Sequence, residues 1–313
     1  MKAMTLQQYG MNPQPTELPA PTPGADEVLV RVKCTSINPI DWKQASGKTR
    51  PLVFAKFPHF IPGYDLSGVV EAIGPGVTGF HVGQRVHTRL SGTKGGASAE
   101  LVCAGLDVLR PMPTQLDFEQ GAGLPLAGMT ALQGLRDGCE LPMTGAKERV
   151  AIIGASGGVG HLAVQLARAA GAHVTGVCSG KNAELVRSLG AHEIVDYTKA
   201  DAWAGVAPFD CIYDCVGSPP GDSLPRLTAK GRFASCLPGP GVFAHAALNA
   251  VRGRSVRPVM LKSNAADLGF LDALVEKGQL KVVVDQRFPA EQLDKAWERS
   301  ASGRAVGKII VNW

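Results

Sequence analysis

Apolar and polar positions change rhythm twice along this chain. Up to about residue 120 the apolar residues fall in short runs punctuated by glycine and proline. Met1–Tyr9, Pro13–Pro23 and Glu27–Lys33 read as strands, and Glu27-Val-Leu-Val-Arg-Val-Lys33 alternates sides as a half-buried strand does. Asn38–Lys43 reads as a turn entering a short helix. Ile61–Gly74, Gly76–Gly79, Gly83–Val86 and Ala97–Val102 continue the short strands, the spacing of a small β-barrel or sandwich. Near Gly121 the spacing becomes helical, over Ala122–Leu135. Strands and helices then alternate: strand, helix and strand across Glu148–Lys181, a helix at Asn182–Leu189, strands at Glu193–Tyr197, Phe209–Asp214 and Gly231–Cys236, a helix at Phe243–Val251, and a strand at Val256–Leu261. That alternation predicts a doubly wound parallel sheet. The tail breaks it again, with helices at Ala265–Lys277 and Pro289–Ser300 and strands at Lys281–Val284 and Lys308–Val311.

The chemistry concentrates in Glu148–Lys181. A β-branched strand (Val150, Ile152, Ile153) runs into Gly154-Ala-Ser-Gly157-Gly158-Val-Gly160 and then a helix from Leu162 to Ala170. Ala155 stands at the first position of the Gly-x-Gly-x-x-Gly pattern, with Gly157 and Gly160 at the second and third. Such a turn exposes backbone N–H groups to a pyrophosphate, with Gly157 and Gly158 giving the clearance and Gly160 letting the helix pack closely. The second strand ends in Cys178-Ser179-Gly180-Lys181, without the carboxylate that holds a ribose 2′-hydroxyl in NAD-binding units. Ser179 and Lys181 suit a 2′-phosphate and point to NADP(H). The alternative for Lys181 is a solvated charge at the next helix start.

Composition narrows the picture little. The chain has 313 residues, 45% apolar and 19% charged, with net charge +5 and no Lys/Arg block, which gives no nucleic-acid footprint. No apolar run reaches a membrane span, and Met1-Lys-Ala-Met-Thr-Leu6 has no signal-peptide core. Seven scattered cysteines without Cys-x-x-Cys read as reduced thiols and a cytoplasmic setting. His59, His81 and His87 form no metal-ligand spacing.

Asn38-Pro-Ile-Asp41, Pro62-Gly63-Tyr64-Asp65-Leu-Ser-Gly68-Val, Ala127-Gly-Met-Thr130-Ala131, Gly154–Gly160, Ser188-Leu-Gly190-Ala191 and Gly303-Arg-Ala-Val-Gly307-Lys308-Ile-Ile together resemble the medium-chain dehydrogenase/reductase superfamily, in its zinc-independent quinone oxidoreductase branch. The resemblance runs from end to end. It implies a GroES-like β-rich catalytic domain over residues 1–124, a Rossmann NADP-binding domain over 125–262, a return to the catalytic domain over 263–313, a cleft between the domains as active site, and a homodimer. At the two positions where zinc members carry metal ligands stand Asn38 and Tyr64, neither a normal zinc ligand, and the four-cysteine structural lobe is missing. Without a Lewis acid, alcohol oxidation lacks its activator, whereas hydride transfer to a quinone or α,β-unsaturated carbonyl needs less help.

The resemblance also assigns residues. Asn38 would orient nicotinamide or a substrate carbonyl, or serve only as the turn residue before Pro39. Tyr64 would donate a proton or hydrogen bond, or form an aromatic pocket wall. Ser156, Gly158 and Val159 would form the pyrophosphate turn, Thr130 would meet the nicotinamide end, and Tyr197 would join Ser179 and Lys181 at the 2′-phosphate. Cys215, Val216 and Leu237 would line the nucleotide path, with a buried structural thiol as the alternative for Cys215, and Arg304-Ala305 would reach the cofactor. Acceptor-pocket residues would come from Thr49–Phe60 and Pro238–Val251. The competing function is a non-catalytic NADPH-binding protein of the same fold, as lens zeta-crystallin-like members suggest.

Overall fold

A computed structural model describes all residues except 51–52 and 250–254. Parts of the expected acceptor-pocket loops and the end of the expected helix at Phe243–Val251 therefore lie outside the described residues. The chain divides into two compact units, residues 1–127 with 263–313, and residues 128–262.

The first unit is β-rich. Lys2–Thr5 (β1) pairs antiparallel with Gln14–Glu17 (β2). A seven-stranded sheet contains Glu27–Ile37 (β3), Asp65–Ile73 (β4), Arg85–Arg89 (β5), Leu101–Gly105 (β6), Arg110–Pro111 (β7), Val284–Pro289 (β14) and Lys308–Asn312 (β15), in the order β14-β15-β3-β4-β5-β7 with β6 also on β3. Strand β3 centres it: Val28, Val30 and Val32 face a core shared with Leu66, Val70, Val86 and Leu90. A second core packs Leu293, Ala296 and Trp297 of helix α9 (Leu293–Ala301) with Ile37, Ile309 and Val311. The unit also holds short helices α1 (Pro39–Ala45) and α2 (Phe118–Gly123), the start of α3 (Pro125–Gln133), and α8 (Ala265–Glu276).

The second unit is a six-stranded parallel sheet in the order β10-β9-β8-β11-β12-β13. Its strands are Arg149–Ile153 (β8), His173–Cys178 (β9), Glu193–Asp196 (β10), Phe209–Asp214 (β11), Leu227–Ser235 (β12) and Ser255–Pro258 (β13). Helices α4 (Gly160–Ala170), α5 (Ala183–Ser188), α6 (Pro220–Ser223) and α7 (Pro240–Asn249) connect them. The order reverses between β8 and β11, the switch point where open α/β sheets bind ligands beyond their carboxyl ends.

The structure corrects three sequence readings. The tail strand is Val284–Pro289 rather than Lys281–Val284. As an edge strand bonded only to β15, it shows no apolar alternation, whereas Val282 is buried as a core residue ahead of it. The single helix expected over Ala122–Leu135 is two helices and a π-turn at Gly134–Gly138. Cys139 and Cys211, 72 residues apart in sequence and 5.8 Å between Cα atoms, form a disulfide, so the reading of seven reduced thiols gives way to five free ones.

Candidate functional site

In the second unit, chain geometry builds a turn between β8 and α4. Gly154 has φ +78°, and a Cβ there would lie 2.4 Å from Val216 Cγ1. The tight-turn glycine is thus Gly154, one residue before the Ala155 that the motif alignment selects. A Cβ on Gly160 would fall 2.0 Å from the Gly154 carbonyl oxygen, a backbone atom that cannot swing aside. Gly154 and Ala155 donate their amides to Val177 O, and Gly157 to Gly154 O. Among the described residues, the amides of Ser156, Gly158 and Val159 have no protein acceptor. Those donors precede the N-terminus of an 11-residue helix, and this arrangement fits a dinucleotide pyrophosphate. Ser156 Oγ accepts from Asn182 Nδ2 at 2.9 Å, a partner the sequence reading missed.

Beside this turn, β9 and β10 finish as a parallel pair. Asp196 pairs in register with Cys178. Ser179 is half-buried and Lys181 exposed, while Tyr197 is 63% exposed and donates its amide to Cys178 O. A carboxylate is present after all, one strand over. Asp196 accepts from Thr198 Oγ1 (2.7 Å) and its amide (3.1 Å) and from the Gly180 amide. The Thr198 bonds, chiefly, hold it below the ordinary carboxylate range. A search confined to the end of the second strand could not find it.

Asp214, fully buried at the end of β11, organises the next loop. Its oxygens accept from the amides of Val216 (3.2 Å), Gly217 (3.0 Å) and Ser218 (3.0 Å), and from the hydroxyls of Ser218 (3.0 Å) and Ser235 (2.7 Å). Ser235 Oγ in turn accepts from Leu237 N. One carboxylate therefore fixes the two loops that carry Cys215, Val216 and Leu237. Thr130 is nearly buried, and its carbonyl accepts from Tyr213 Oη at 2.8 Å. An acid ending an apolar strand was the available signal for Asp214.

The first unit gathers a second polar cluster. Asn38 follows β3 and caps α1: its amide donates to Asp41 Oδ2 at 2.8 Å. Its side chain is saturated, with Nδ2 donating to Asp65 Oδ2 (2.9 Å) and Oδ1 accepting from Lys308 Nζ (2.6 Å). Asp65 also accepts from Ser36 Oγ (2.8 Å) and the Leu126 amide (2.9 Å), with Lys308 Nζ 3.8 Å away. Tyr64, 1% exposed, donates its hydroxyl to Gln44 Oε1 at 2.7 Å, under the Arg89 guanidinium 4.6 Å from its ring centre. Burial dominates the titration of the cluster. It pushes Asp41 up to about 7 and Tyr64 up to about 12, and lowers Lys308. The sequence reading missed Lys308, Gln44 and Arg89 as members; Arg304, in contrast, is exposed, and Ala305 is half-buried. Among the described residues, no group of three His, Cys, Asp or Glu side chains is placed to hold a metal ion.

Comparison with known proteins adds the following. A family model described as alcohol dehydrogenase GroES-like domain matches residues 24–114, and one described as zinc-binding dehydrogenase matches residues 189–311. The chloroplast envelope quinone oxidoreductase homolog of Arabidopsis thaliana is 37% identical over 99% of this chain and 98% of that protein. The NADPH-dependent alkenal/one oxidoreductase of the same plant is 31% identical over 99% of this chain and 79% of that protein. The solved quinone oxidoreductase of Coxiella burnetii superposes with a TM-score of 0.87, at 29% identity, covering 100% of this chain and 99% of that one.

Proposed function

The chain belongs to the quinone oxidoreductases of the medium-chain dehydrogenase/reductase superfamily, and from that premise we propose that it reduces quinones or α,β-unsaturated carbonyls with NADPH and without a catalytic zinc. The observation that carries the zinc-free reading is the surroundings of Asn38. Both ends of its amide are engaged, and a buried ammonium lies 2.6 Å from its oxygen, where a dication would meet like charge.

NADPH, when bound, supplies the hydride. Ser156, Gly158 and Val159 would offer amides to its pyrophosphate, and Ser179, Lys181 and Tyr197 its 2′-phosphate contacts. Asp196 is compatible with that assignment because its oxygens are turned to Thr198 and Gly180. Thr130, Cys215, Val216, Leu237, Arg304 and Ala305 keep their assignments along the nucleotide. In the polar cluster, Asn38 acts as a fixed dipole and Tyr64 as an aromatic wall. The single Tyr64 hydroxyl proton is already donated to Gln44 Oε1 at 2.7 Å in a side chain closed to solvent, so we assign the acceptor's proton to water. The Cys139–Cys211 disulfide departs from a fully reduced set of cysteines, and the plant relatives carry chloroplast names.

The test is NADPH oxidation followed by absorbance across a panel of quinones and enones, with and without a zinc chelator, alongside metal analysis. Turnover indifferent to the chelator is expected. Stoichiometric zinc with chelator-sensitive turnover would overturn the zinc-free mechanism. Tight NADPH binding with no turnover on any acceptor would establish the non-catalytic binding protein instead.

A further inference from the structure

Two thiols beside the proposed nucleotide path have no part in the hydride chemistry. Cys215 follows the last residue of β11, and Cys236 the last residue of β12. Asp214 and Ser235 are partners in the parallel ladder, and the Cys236 amide donates to Asp214 O at 3.1 Å, so the same register carries Cys215 alongside Cys236. Adjacent strands lie about 4.8 Å apart, inside the roughly 4.4–6.8 Å between Cα atoms that a disulfide spans. The two side chains are in hydrogen-bond contact, and both residues are partly open to solvent. Neither takes part in the Cys139–Cys211 bond.

We propose that Cys215 and Cys236 form an oxidisable dithiol whose closure to a disulfide changes the nucleotide cradle. The oxidant is a hydroperoxide. It converts one thiol to a sulfenic acid and leaves as the alcohol or water; the second thiol then displaces hydroxide as water, and the S–S bond forms. Two electrons pass from the dithiol to the peroxide. Burial of the Cys215 sulfur, with the Cys236 thiol and the Asp214 carboxylate beside it, keeps Cys215 protonated, so the pair rests as a dithiol until an oxidant arrives. The effect on the cradle rests on the proposed function. Cys215-Val216 and Leu237 lie on the two loops fixed by Asp214, and a Cβ added at Gly217 would lie 3.3 Å from the Leu237 carbonyl oxygen. A covalent tie between those loops would leave them little room to adjust to a nucleotide.

The experiment treats the full-length protein with hydrogen peroxide, alkylates the remaining thiols and maps them by mass spectrometry, then titrates NADPH before and after. Free thiols are expected to fall from five to three. A linked Cys215–Cys236 peptide should appear, and NADPH affinity should change about tenfold, reversibly with dithiothreitol. Cys236→Ser should bind NADPH as the reduced parent does, form no link and show no peroxide response. The proposal is overturned if both cysteines remain alkylatable while glutathione in the same tube is oxidised, or if the link forms and NADPH affinity does not move. Reduced protein that fails to bind NADPH would count against the cofactor reading, and the mapped link would still decide the dithiol.

Discussion

Asp41 is where single-residue physics is most exposed to test. Its carboxyl is buried, with the Asp65 charge nearby, and these hold it at about 7 against the Asn38 amide, Lys308 and Arg89. In an unfolded chain it titrates near 3.9. A folded value above the unfolded one means that its stability contribution is fully present below about pH 4 and is lost as pH rises through about 7. Asp41→Asn keeps an oxygen for the Asn38 amide and removes the titration. The variant is expected to be about 2–4 kcal/mol more stable than the parent at pH 8, a gain that shrinks toward pH 5. Urea unfolding at the two pH values measures this, and an equal gain at both would refute the assignment. Lys308 gives the opposite sign. Its ammonium is the buried counter-charge for Asp65 and the donor to Asn38 Oδ1, so Lys308→Met should cost about 3–5 kcal/mol at pH 7 by leaving the Asp65 charge uncompensated and that oxygen without its donor. Denaturation midpoints should show it without metal or cofactor.

At the scale of elements, the loop after β11 shows how two loops can depend on one buried carboxylate. Asp214 satisfies three consecutive backbone amides and two hydroxyls, which would otherwise be left without partners. Asp214→Ala should lower stability by about 3 kcal/mol or more. It should also weaken NADPH binding more than tenfold, read by calorimetry; unchanged binding would separate the loop from the cradle. Lys181 lies in the 3-10 turn Gly180–Asn182 after β9, and the role proposed for it is electrostatic. Lys181→Ala should lower affinity for NADPH by about tenfold and leave NADH unchanged, and equal losses for both would remove the 2′-phosphate assignment. The contrast between these residues explains what was legible. Lys181 could be proposed from the sequence because it follows a recognisable glycine turn by a countable number of positions. Asp196 and Lys308 could not, and Asp214 offered only its place at the end of an apolar strand, because each acts on a neighbour brought close by sheet pairing: Gly180 just past the β9–β10 pair, Asn38 some 270 residues away in sequence, and Ser235 on the adjacent strand.

Across the whole molecule, the parallel sheet was legible because its buried strands and helices keep local periods that survive any tertiary context. The β-rich unit was legible only as a class. Its strands are short, its ladders carry register shifts, and its edge strand β14 has no apolar alternation. Closing that unit requires residues from both ends of the chain. Strand β15 lies between β14 and β3, α9 covers the core built on Ile37, and Asp272 on α8 sits 3.1 Å from buried His87 and 3.2 Å from Arg110. A fragment ending at residue 127 therefore lacks two strands, two helices and the cation that compensates Asp65. It should show no cooperative thermal transition by circular dichroism. The same fragment joined to residues 263–313 by a short flexible linker should regain one, because the sheet, the second core and the buried Lys308 return together. Residues 128–262 need no such help, since all six of their strands and the helices between them are contiguous in sequence. A cooperative melt of residues 1–127 alone would show that the C-terminal return contributes cover to this unit rather than the part of the core it needs to fold.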